Sequence, residues 1–490
     1  MARSTALACA AVALWLPATS LAAARDKALE GQLMAHIRVL ASDDFEGREP
    51  GTQGEAKTLQ YLAKAWFDIG LVSGTNDPGN EWFAPVTLVA REPATSSAQF
   101  ARRGRRVYAP TAGVLMLTSG KRSLVKDAPV LFIGKGEGPP PARNELAGRV
   151  ALLLDGGIET SDRQNALLAA GASAVLTILD GDRTLASVAA RRQRSGYALA
   201  NDTLGGDLEG FVTREAMDGL LRGMGRTVAQ LQTQAAAADF APRVIDLSAT
   251  LEATTTESTI RSHNLIGKIP GRHPEAGAVL FLAHWDHFGI CAEAPAEDLI
   301  CNGAVDNASG VAALTEIARR LVHGPQPDRD IYFLATTAEE IGLLGAHAFA
   351  ENPPLPIKQI VAAFNIDSIA LAPAGTPMAI VGRGMTRLDA QIEAAARKAK
   401  RRIVPGDGAN AYVRRQDGWA LLQHDIPTVM VTSAYGDIAR IETFFEGYYH
   451  RPGDGLERQI ELGGAAQDVE FHVHLGRWFG DMKRVRLPVK

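Results

Sequence analysis

Apolar and polar positions in the second half of the chain predict strands and helices in alternation. Short apolar runs predict strands at residues 278–283, 330–336, 360–366 and 428–432. Apolar residues at helical spacing predict helices at residues 309–322, 341–351 and 386–401. This alternation is typical of a mainly parallel central sheet flanked by helices on both faces, so we expect an α/β fold.

The first part of the chain is predicted to be helical from about residue 26 to residue 71. Two amphipathic stretches flank a turn-rich segment, DDFEGREPGTQG, at residues 43–54. The second stretch has apolar residues at helical spacing and stops before Gly70.

Residues 104–250 have a different character. Apolar runs at 128–133 and 149–154 predict strands bounded by Gly and Pro, and residues 164–178 predict a helix, a Gly turn and a strand. His, Cys and acidic residues do not cluster here. We therefore expect a smaller β-rich accessory domain, inserted between residues 25–103 and 251–490 of the main domain.

The N-terminus predicts export. Residues 1–24 have a positive start, an apolar run from Thr5 to Leu16 and a small-residue end at Ala22-x-Ala24, as in a secretory signal peptide. The run is shorter than the roughly 20 residues of a membrane-spanning helix. We expect no membrane span and a periplasmic or extracellular location, with a buried N-terminal helix as the alternative.

Size and charge narrow the class of function. The 490 residues suffice for several domains, and 46% hydrophobic with 22% charged residues is an ordinary globular composition. The net charge of −4, without a dense Lys/Arg stripe, argues against nucleic acid as a partner.

Cysteine usage agrees with export. Cys9 lies inside the predicted signal peptide, which leaves Cys291 and Cys301 as a pair that can form a disulfide outside the cytoplasm. Two unpaired cysteines are the alternative. We expect the short loop between them to form part of a pocket rim.

Metal-capable residues follow the predicted strands. His284 and Asp286 come after the first strand, Glu339 and Glu340 after the second, and Asp367 after the third. Asp306 lies where a loop enters the helix at 309–322. Ligands of open α/β sheets bind at the carboxyl ends of strands, so these side chains are expected to meet in one site.

The residue types predict two zinc ions. Zinc takes imidazole nitrogen and carboxylate oxygen, and two histidines with three carboxylates serve two ions if one carboxylate bridges. We expect Asp306 to bridge. His284 and Asp367 then complete one site, and Glu340 and His450 complete the other.

Two neighbours of these ligands have expected roles of their own. Glu339 is adjacent to Glu340 and suits a general base that acts on the water between the ions. Asp286 suits a partner that accepts the other ring N–H of His284.

Each of these residues also has an ordinary interpretation, which the combined pattern disfavours. A lone Glu-Glu pair is usually a solvated face, and a lone His is usually a satisfied surface or core residue. His287 competes as a ligand by position, although the family resemblance described below implies that it lies outside the ligand set. The other histidines are interpreted as surface or structural: His36, His263, His273, His323, His347, His424, His472 and His474.

Five segments of the sequence resemble the motifs of the M28 zinc peptidases. They are AHWDHFG at 283–289, GAVDNASG at 303–310, AEEIGLLG at 338–345, NIDS at 365–368 and YHRPGD at 449–454. The resemblance runs from Asn264 to the C-terminus, and LASDDFEGREPG at 40–51 resembles the start of such enzymes. The middle region resembles a protease-associated domain through LAGRVALLL at 146–154 and AAGASAV at 169–175.

The resemblance implies the zinc exopeptidase fold, the same ligand roles and one further residue. Tyr449 is similar to the family tyrosine that stabilises the tetrahedral oxyanion, with simple packing beside Tyr448 as the alternative. One segment departs from the family. Gln416-Asp417-Gly418 stands where many relatives carry Ser-Asp-His, which makes the shape of the substrate pocket less predictable.

The expected function is zinc-dependent removal of N-terminal residues from peptide substrates. A glutamate-type carboxypeptidase remains open, because Arg414-Arg415 offers a candidate for holding a terminal carboxylate. A glutaminyl cyclase is disfavoured by the inserted domain. A non-catalytic binding or receptor protein on the same scaffold is disfavoured because the ligands and the base are all present.

Overall fold

A computed structural model of the chain describes residues 25–79, 81–107, 111–156, 160–181, 183–193, 196–202, 206–292 and 294–485. The predicted signal peptide, with Cys9, lies outside these residues. Within the described ranges, no helix combines the length and the apolar character needed to cross a membrane.

The structure contains strands throughout both halves of the chain. The strands are β1 Val72–Ser73, β2 Phe83–Arg102, β3 Arg105–Val107, β4 Val114–Thr118, β5 Arg122–Gly134, β6 Val150–Leu154, β7 Ala174–Ile178, β8 Tyr197–Leu199, β9 Leu208–Val212, β10 Arg243–Ile269, β11 Ala278–His284, β12 Gly289–Ile290, β13 Ile300–Cys301, β14 Asp330–Thr336, β15 Ile360–Asn365, β16 Ala379–Val381 and β17 Thr428–Thr432.

Helices alternate with these strands. They are α1 Lys27–Leu40, α2 Gln53–Asp68, α3 Arg143–Leu146, α4 Thr160–Ala169, α5 Leu185–Gln193, α6 Arg214–Arg222, α7 Val228–Ala235, α8 Gly310–Val322, α9 Leu344–Glu351, α10 Asp389–Lys398, α11 Gly418–Gln423, α12 Ile438–Gly447 and α13 Gly463–Phe479.

The predicted α/β architecture is confirmed in the second half of the chain. Strands β17, β15, β11 and β14 lie side by side and parallel, with β16 and β10 antiparallel at the two ends of this group. Alternate residues of β11 enter different clusters, Val279 and Phe281 on one face and Leu280 and Leu282 on the other. Helices α1, α8 and α13 cover the first face, and α9 and α11 cover the second.

Two long strands join the middle region to the main sheet. Strand β10 pairs with β14 near its end and with β5 near its start, and β2 runs antiparallel to it along most of its length. The predicted division at residue 250 therefore falls inside a continuous strand. The middle region also contains parallel strands, β5, β6, β7 and β9, together with helices, and it buries a core of its own.

The N-terminal helices pack against α8 through a buried carboxylate. Glu316 accepts hydrogen bonds from Arg319 Nε (3.0 Å) and Arg320 Nη1 (2.5 Å), and His36 Nε2 lies 3.3 Å away. Burial alone raises the pKa of Glu316, but hydrogen bonds with His36, Arg319 and Arg320 outweigh it and lower the pKa to about 2.

Glu316 is expected to stabilise the fold at neutral pH. A shift from 4.5 to about 2 corresponds to about 3 kcal/mol, which solvent around the arginines reduces to about 1–2 kcal/mol. Because the folded-state pKa is depressed, this stabilisation is present above about pH 4.5 and is lost as the pH falls towards 2. Glu316→Gln should lower the free energy of unfolding by that amount at pH 7, and by less at pH 3.5, in urea titrations.

An exposed carboxylate on the same arginine supplies the control. Glu470 Oε1 contacts Arg320 Nε at 3.0 Å, and its side chain is 55% exposed. Glu470→Gln should change the free energy of unfolding by less than about 0.5 kcal/mol. Equal effects of the two substitutions would contradict the role given to Glu316.

Candidate metal centre

Three parallel strands, one turn and one loop bring the predicted ligands to the same edge of the sheet. His284 is the last residue of β11, Asp367 lies two residues beyond β15, and Glu340 lies four residues beyond β14. Asp306 belongs to the irregular turn before α8. Its φ and ψ of −108° and 93° depart from helical values. His450 comes from the loop after α12, at a positive φ of 58°.

The five side chains form two groups that share Asp306. In one group, His284 Nε2 lies 3.2 Å from Asp306 Oδ1 and 3.7 Å from Asp367 Oδ1. In the other, His450 Nε2 lies 3.5 Å from Asp306 Oδ2 and 2.9 Å from Glu340 Oε2. Asp306 thus presents one carboxylate oxygen to each histidine.

These separations suit tetrahedral metal ions. Ligand atoms about 2.0–2.2 Å from a zinc ion, at the tetrahedral angle, lie about 3.3–3.6 Å from one another. The contacts in both groups scatter around that range, from 2.9 to 3.7 Å. The ligand atoms of His284, Asp306 and Asp367 all lie within 4.8 Å of one another.

The hydrogen bonding of the cluster also fits a bound cation. Among the described residues, His284 Nε2, His450 Nε2 and Asp306 Oδ2 are buried polar atoms without a hydrogen-bond partner. A buried polar atom left unpaired costs about 1–3 kcal/mol. All three are atoms that coordinate a metal in the predicted arrangement, so the residues present fit two divalent ions.

The acidic side chains and the histidines of the site shift one another's pKa values. Although burial opposes it, contacts with His284 and His450 hold the pKa of Asp306 well below its usual range. Burial likewise disfavours a charged imidazole, yet Glu340 and Asp306 raise the pKa of His450 to about 10. The carboxylates therefore attract positive charge to the place where the ligand atoms converge.

The family of this region follows from comparison with known proteins. Residues 264–470 match the family model described as Peptidase family M28. This region of the chain belongs to peptidase family M28.

Whole-chain structural similarity supports the fold of the M28 region and its surroundings. An aminopeptidase from Aneurinibacillus sp. strain AM-1 superimposes with a TM-score of 0.57 at 19% identity, covering 94% of this chain and 96% of the other. At that identity, the similarity establishes the fold alone.

Curated relatives match short parts of this chain. Aminopeptidase YwaD of Bacillus subtilis (strain 168) is 32% identical over 121 residues, which are 24% of this chain and 24% of that protein. The vacuolar membrane protease of Candida albicans (strain WO-1) is 35% identical over 96 residues, 20% of this chain and 10% of that protein. The chain thus spans between a tenth and a quarter of the length of these relatives.

Glu339 lies beside the ligand cluster of the M28 region. Its Oε2 is 3.9 Å from His284 Nε2, and its side chain is 7% exposed. Burial raises the pKa of Glu339 well above its usual range, and the neighbouring carboxylates of Glu340 and Asp367 raise it further. The protein groups around Glu339 therefore favour the protonated form of its carboxyl.

The contact expected between Asp286 and His284 is formed by a different atom. His284 Nδ1 donates to the backbone carbonyl of Asp286 at 3.2 Å, whereas the carboxylate oxygen is 3.8 Å away. That carboxylate instead accepts from the backbone N–H groups of Glu339 (3.2 Å) and Glu340 (3.4 Å). The backbone of Asp286 therefore fixes the ring orientation of His284. Its side chain holds the loop that carries Glu339 and Glu340.

Tyr449 and His287 both contact the cluster. The Tyr449 ring stacks on His450 with 3.5 Å between ring centroids, and burial raises the pKa of its hydroxyl well above the usual value. His287 Nδ1 contacts Glu340 Oε1 directly, and His287 forms a metal-capable group with Asp306 and Glu340. His287 was expected to lie outside the ligand set, whereas in the structure it contacts the proposed ligand Glu340.

Sequence reasoning gave no role to three buried residues around the site. Asp417, within the segment that departs from the family, accepts a hydrogen bond from Thr336 Oγ1, and burial raises its pKa to about 6. Arg48 and Asp454 hold the backbone of the Asp306 segment. In the sequence, the only signal for these three residues is that they lie in segments compared with the family. Their contacts join residues far apart in the chain, so sequence spacing does not show them.

The predicted cysteine pair forms a disulfide in the structure. Cys291 and Cys301 are bonded, and they close the loop that carries the β12–β13 hairpin. Phe288, three residues before Cys291, packs against His450 with ring centroids 4.5 Å apart. The rim position expected for the loop stays a prediction.

Proposed function

We propose that this chain is a two-zinc exopeptidase that removes N-terminal residues from peptides. The observation that carries the proposal is the shared carboxylate, Asp306, which faces one histidine with each of its oxygens. His284 and Asp367 would hold one ion, and Glu340 and His450 the other. When bound there, two such ions would polarise a substrate carbonyl and lower the pKa of a water molecule.

Glu339 is the proposed general base. A buried carboxylate with a raised pKa accepts a proton from the attacking water and then gives it to the leaving amine. Its neighbour Glu340 faces His450, so we assign Glu340 the role of metal ligand and Glu339 the role of base. The backbone N–H groups of both glutamates donate to the Asp286 carboxylate, and these hydrogen bonds hold the backbone of the two residues in place.

Tyr449 is the proposed donor to the oxyanion. A tyrosine hydroxyl is protonated at neutral pH, and burial raises the pKa of Tyr449 further, so this hydroxyl can donate a hydrogen bond. Stacking on His450 places the ring beside the second ligand group.

The surrounding organisation belongs to the same proposal. Residues 104–250 would form the inserted, protease-associated-like domain, between residues 25–103 and 251–490 of the peptidase domain. Residues 1–24 would direct export to the periplasm or the extracellular space.

A panel of blocked and unblocked peptides tests this function. Free aminoacyl substrates should be cleaved, and N-acetylated peptides of the same sequence should not, because an aminopeptidase requires a free N-terminus. A chelator should abolish cleavage, and added Zn²⁺ should restore it. The readout is release of the N-terminal residue by mass spectrometry.

The same panel separates the alternatives. Release of a C-terminal acidic residue from N-acetylated peptides would favour the carboxypeptidase, for which Arg415 near Phe445 is the candidate holder of the carboxylate. Binding without turnover, unaffected by the chelator, would favour a receptor. Either result would contradict the aminopeptidase.

A further inference from the structure

Two buried side chains of opposite charge contact the same short backbone segment. The segment, residues 302–306, ends in the shared carboxylate Asp306. Arg48 reaches its carbonyl groups, and Asp454 reaches its N–H groups. The two charged residues come from opposite ends of the sequence.

The Arg48 guanidinium donates hydrogen bonds to backbone carbonyl oxygens. It is 1% exposed and donates to Asn302 O (2.6 Å) and Gly303 O (3.1 Å). It also donates to Trp285 O (2.8 Å) and Leu40 O (2.7 Å), so it ties the N-terminal turn to both ends of the 285–303 loop. A buried guanidinium needs compensating negative charge, and the nearby carboxylates of the site supply it.

Asp454 accepts hydrogen bonds from backbone N–H groups of the same segment. Its carboxylate accepts from Val305 N (3.2 Å) and Asp306 N (2.9 Å), and its backbone oxygen accepts from Ala304 N (2.8 Å). Arg458 Nη1 contacts the carboxylate at 3.2 Å. Asp454 is fully buried and lies four residues after His450, so the loop that carries one ligand holds the backbone of another.

The segment depends on such outside contacts. Asp306 and Asn307 have non-helical backbone angles, so a regular helical ladder does not hold the turn before α8. Local contacts satisfy the carbonyls of Gly303 and Val305, and side chains from elsewhere supply further hydrogen bonds to residues 302–306.

We propose that Arg48 and Asp454 are positioning residues that fix Asp306 between the two metal groups. The inference rests on the proposed two-zinc function. Outer partners that orient metal ligands typically change metal affinity by about 10–100-fold when they are replaced. Loss of either residue should therefore weaken zinc binding more than its effect on folding alone would.

Two further buried residues provide matched controls away from the ligands. Arg329 is 2% exposed and donates to the carbonyls of Ala276 (2.8 Å), Phe479 (2.7 Å) and Val485 (2.5 Å), much as Arg48 does. Asp468 is 1% exposed and accepts from Ser433 N (2.7 Å). Like Asp454 it also contacts an arginine, with Arg401 Nη2 at 2.9 Å.

The experiment compares Arg48→Lys and Asp454→Asn with Arg329→Lys and Asp468→Asn in the full chain. Lysine keeps the charge but not the fork of donors, and asparagine keeps the shape but places N–H groups against N–H groups. Metal-free proteins are titrated with Zn²⁺ against a chelating dye, and the melting temperature is recorded for each.

We expect the zinc dissociation constant to rise about 10–100-fold for the two site variants and less than about twofold for the controls, at comparable losses of melting temperature. Unchanged zinc affinity in the site variants, or an equal loss in the controls, would overturn the inference. A wild-type chain that binds no zinc would overturn the proposed function instead. If Asp454→Asn does not fold, Arg458→Gln, which removes a contact of Asp454, replaces it with the same expected direction.

Discussion

Replacement of Glu339 by glutamine should lower kcat by at least about 10²–10⁴-fold and leave the metal content unchanged. Glutamine keeps the size of the side chain but accepts no proton from water. The carboxylate lies beside His284 rather than in either shared-aspartate group, so its loss spares the proposed ligands. Steady-state kinetics on an aminoacyl substrate and metal analysis of the same sample measure the two quantities.

The adjacent residue is the matched comparison. Glu340 contacts His450 and His287, so Glu340→Gln should lose zinc as well as activity. Replacement of Glu340 should thus lower the metal content, whereas replacement of Glu339 should leave it unchanged. Full activity in Glu339→Gln, or zinc loss equal to that of Glu340→Gln, would remove Glu339 from the role of general base.

Asp306→Asn should have the largest effect on metal binding. Each of its oxygens faces a different histidine, at 3.2 Å and 3.5 Å, so one substitution weakens both sites. An amide is a poorer ligand than a carboxylate and removes a negative charge from a site rich in imidazole. We expect bound zinc to fall at both sites and kcat/KM to fall by at least about 10³-fold.

Single-site variants give the scale for this prediction. His284→Ala and His450→Ala each remove a ligand from one group and should each spare the other ion more than Asp306→Asn does. Asp468→Asn, a buried carboxylate held by Ser433 and Arg401, controls for the loss of a buried charge. Retention of both ions in Asp306→Asn would contradict the bridging role.

The sequence predicted the central sheet well, because its strands are buried on both faces. Residues 330–336 and 428–432 were predicted as strands, and β14 and β17 have those bounds. The helix predicted from Ile341 begins instead at Leu344, because the turn that carries Glu339 and Glu340 occupies the first positions. A continuous apolar run defines the strand and also marks the place where polar site residues begin.

The long strands of the middle region were harder to predict. Strand β10 runs through TTTESTIR at 254–261, where residues 256–259 are exposed, so no apolar pattern marks it as one element. The predicted boundary at residue 250 lies just before this polar stretch.

Around the candidate site, the sequence predicted the positions of the ligands better than the contacts of the residues that surround them. The positions of Glu339 and Asp367 after strands predicted their proximity to His284, and the structure brings them within 3.9 Å and 3.7 Å of its Nε2. The contacts of Arg48 and Asp454 are with backbone atoms of a distant segment, which no spacing in the sequence encodes. His287 was underestimated because its contact with Glu340 depends on the fold of the 285–303 loop.

Zinc stoichiometry tests whether two ions share Asp306. The metal-free full chain is titrated with Zn²⁺ while bound metal and aminopeptidase activity are followed in the same sample. We expect two tightly bound ions per chain and full activity only when both sites are filled. A chain that binds no divalent ion, or that reaches full activity with a single ion, would contradict the two-zinc proposal.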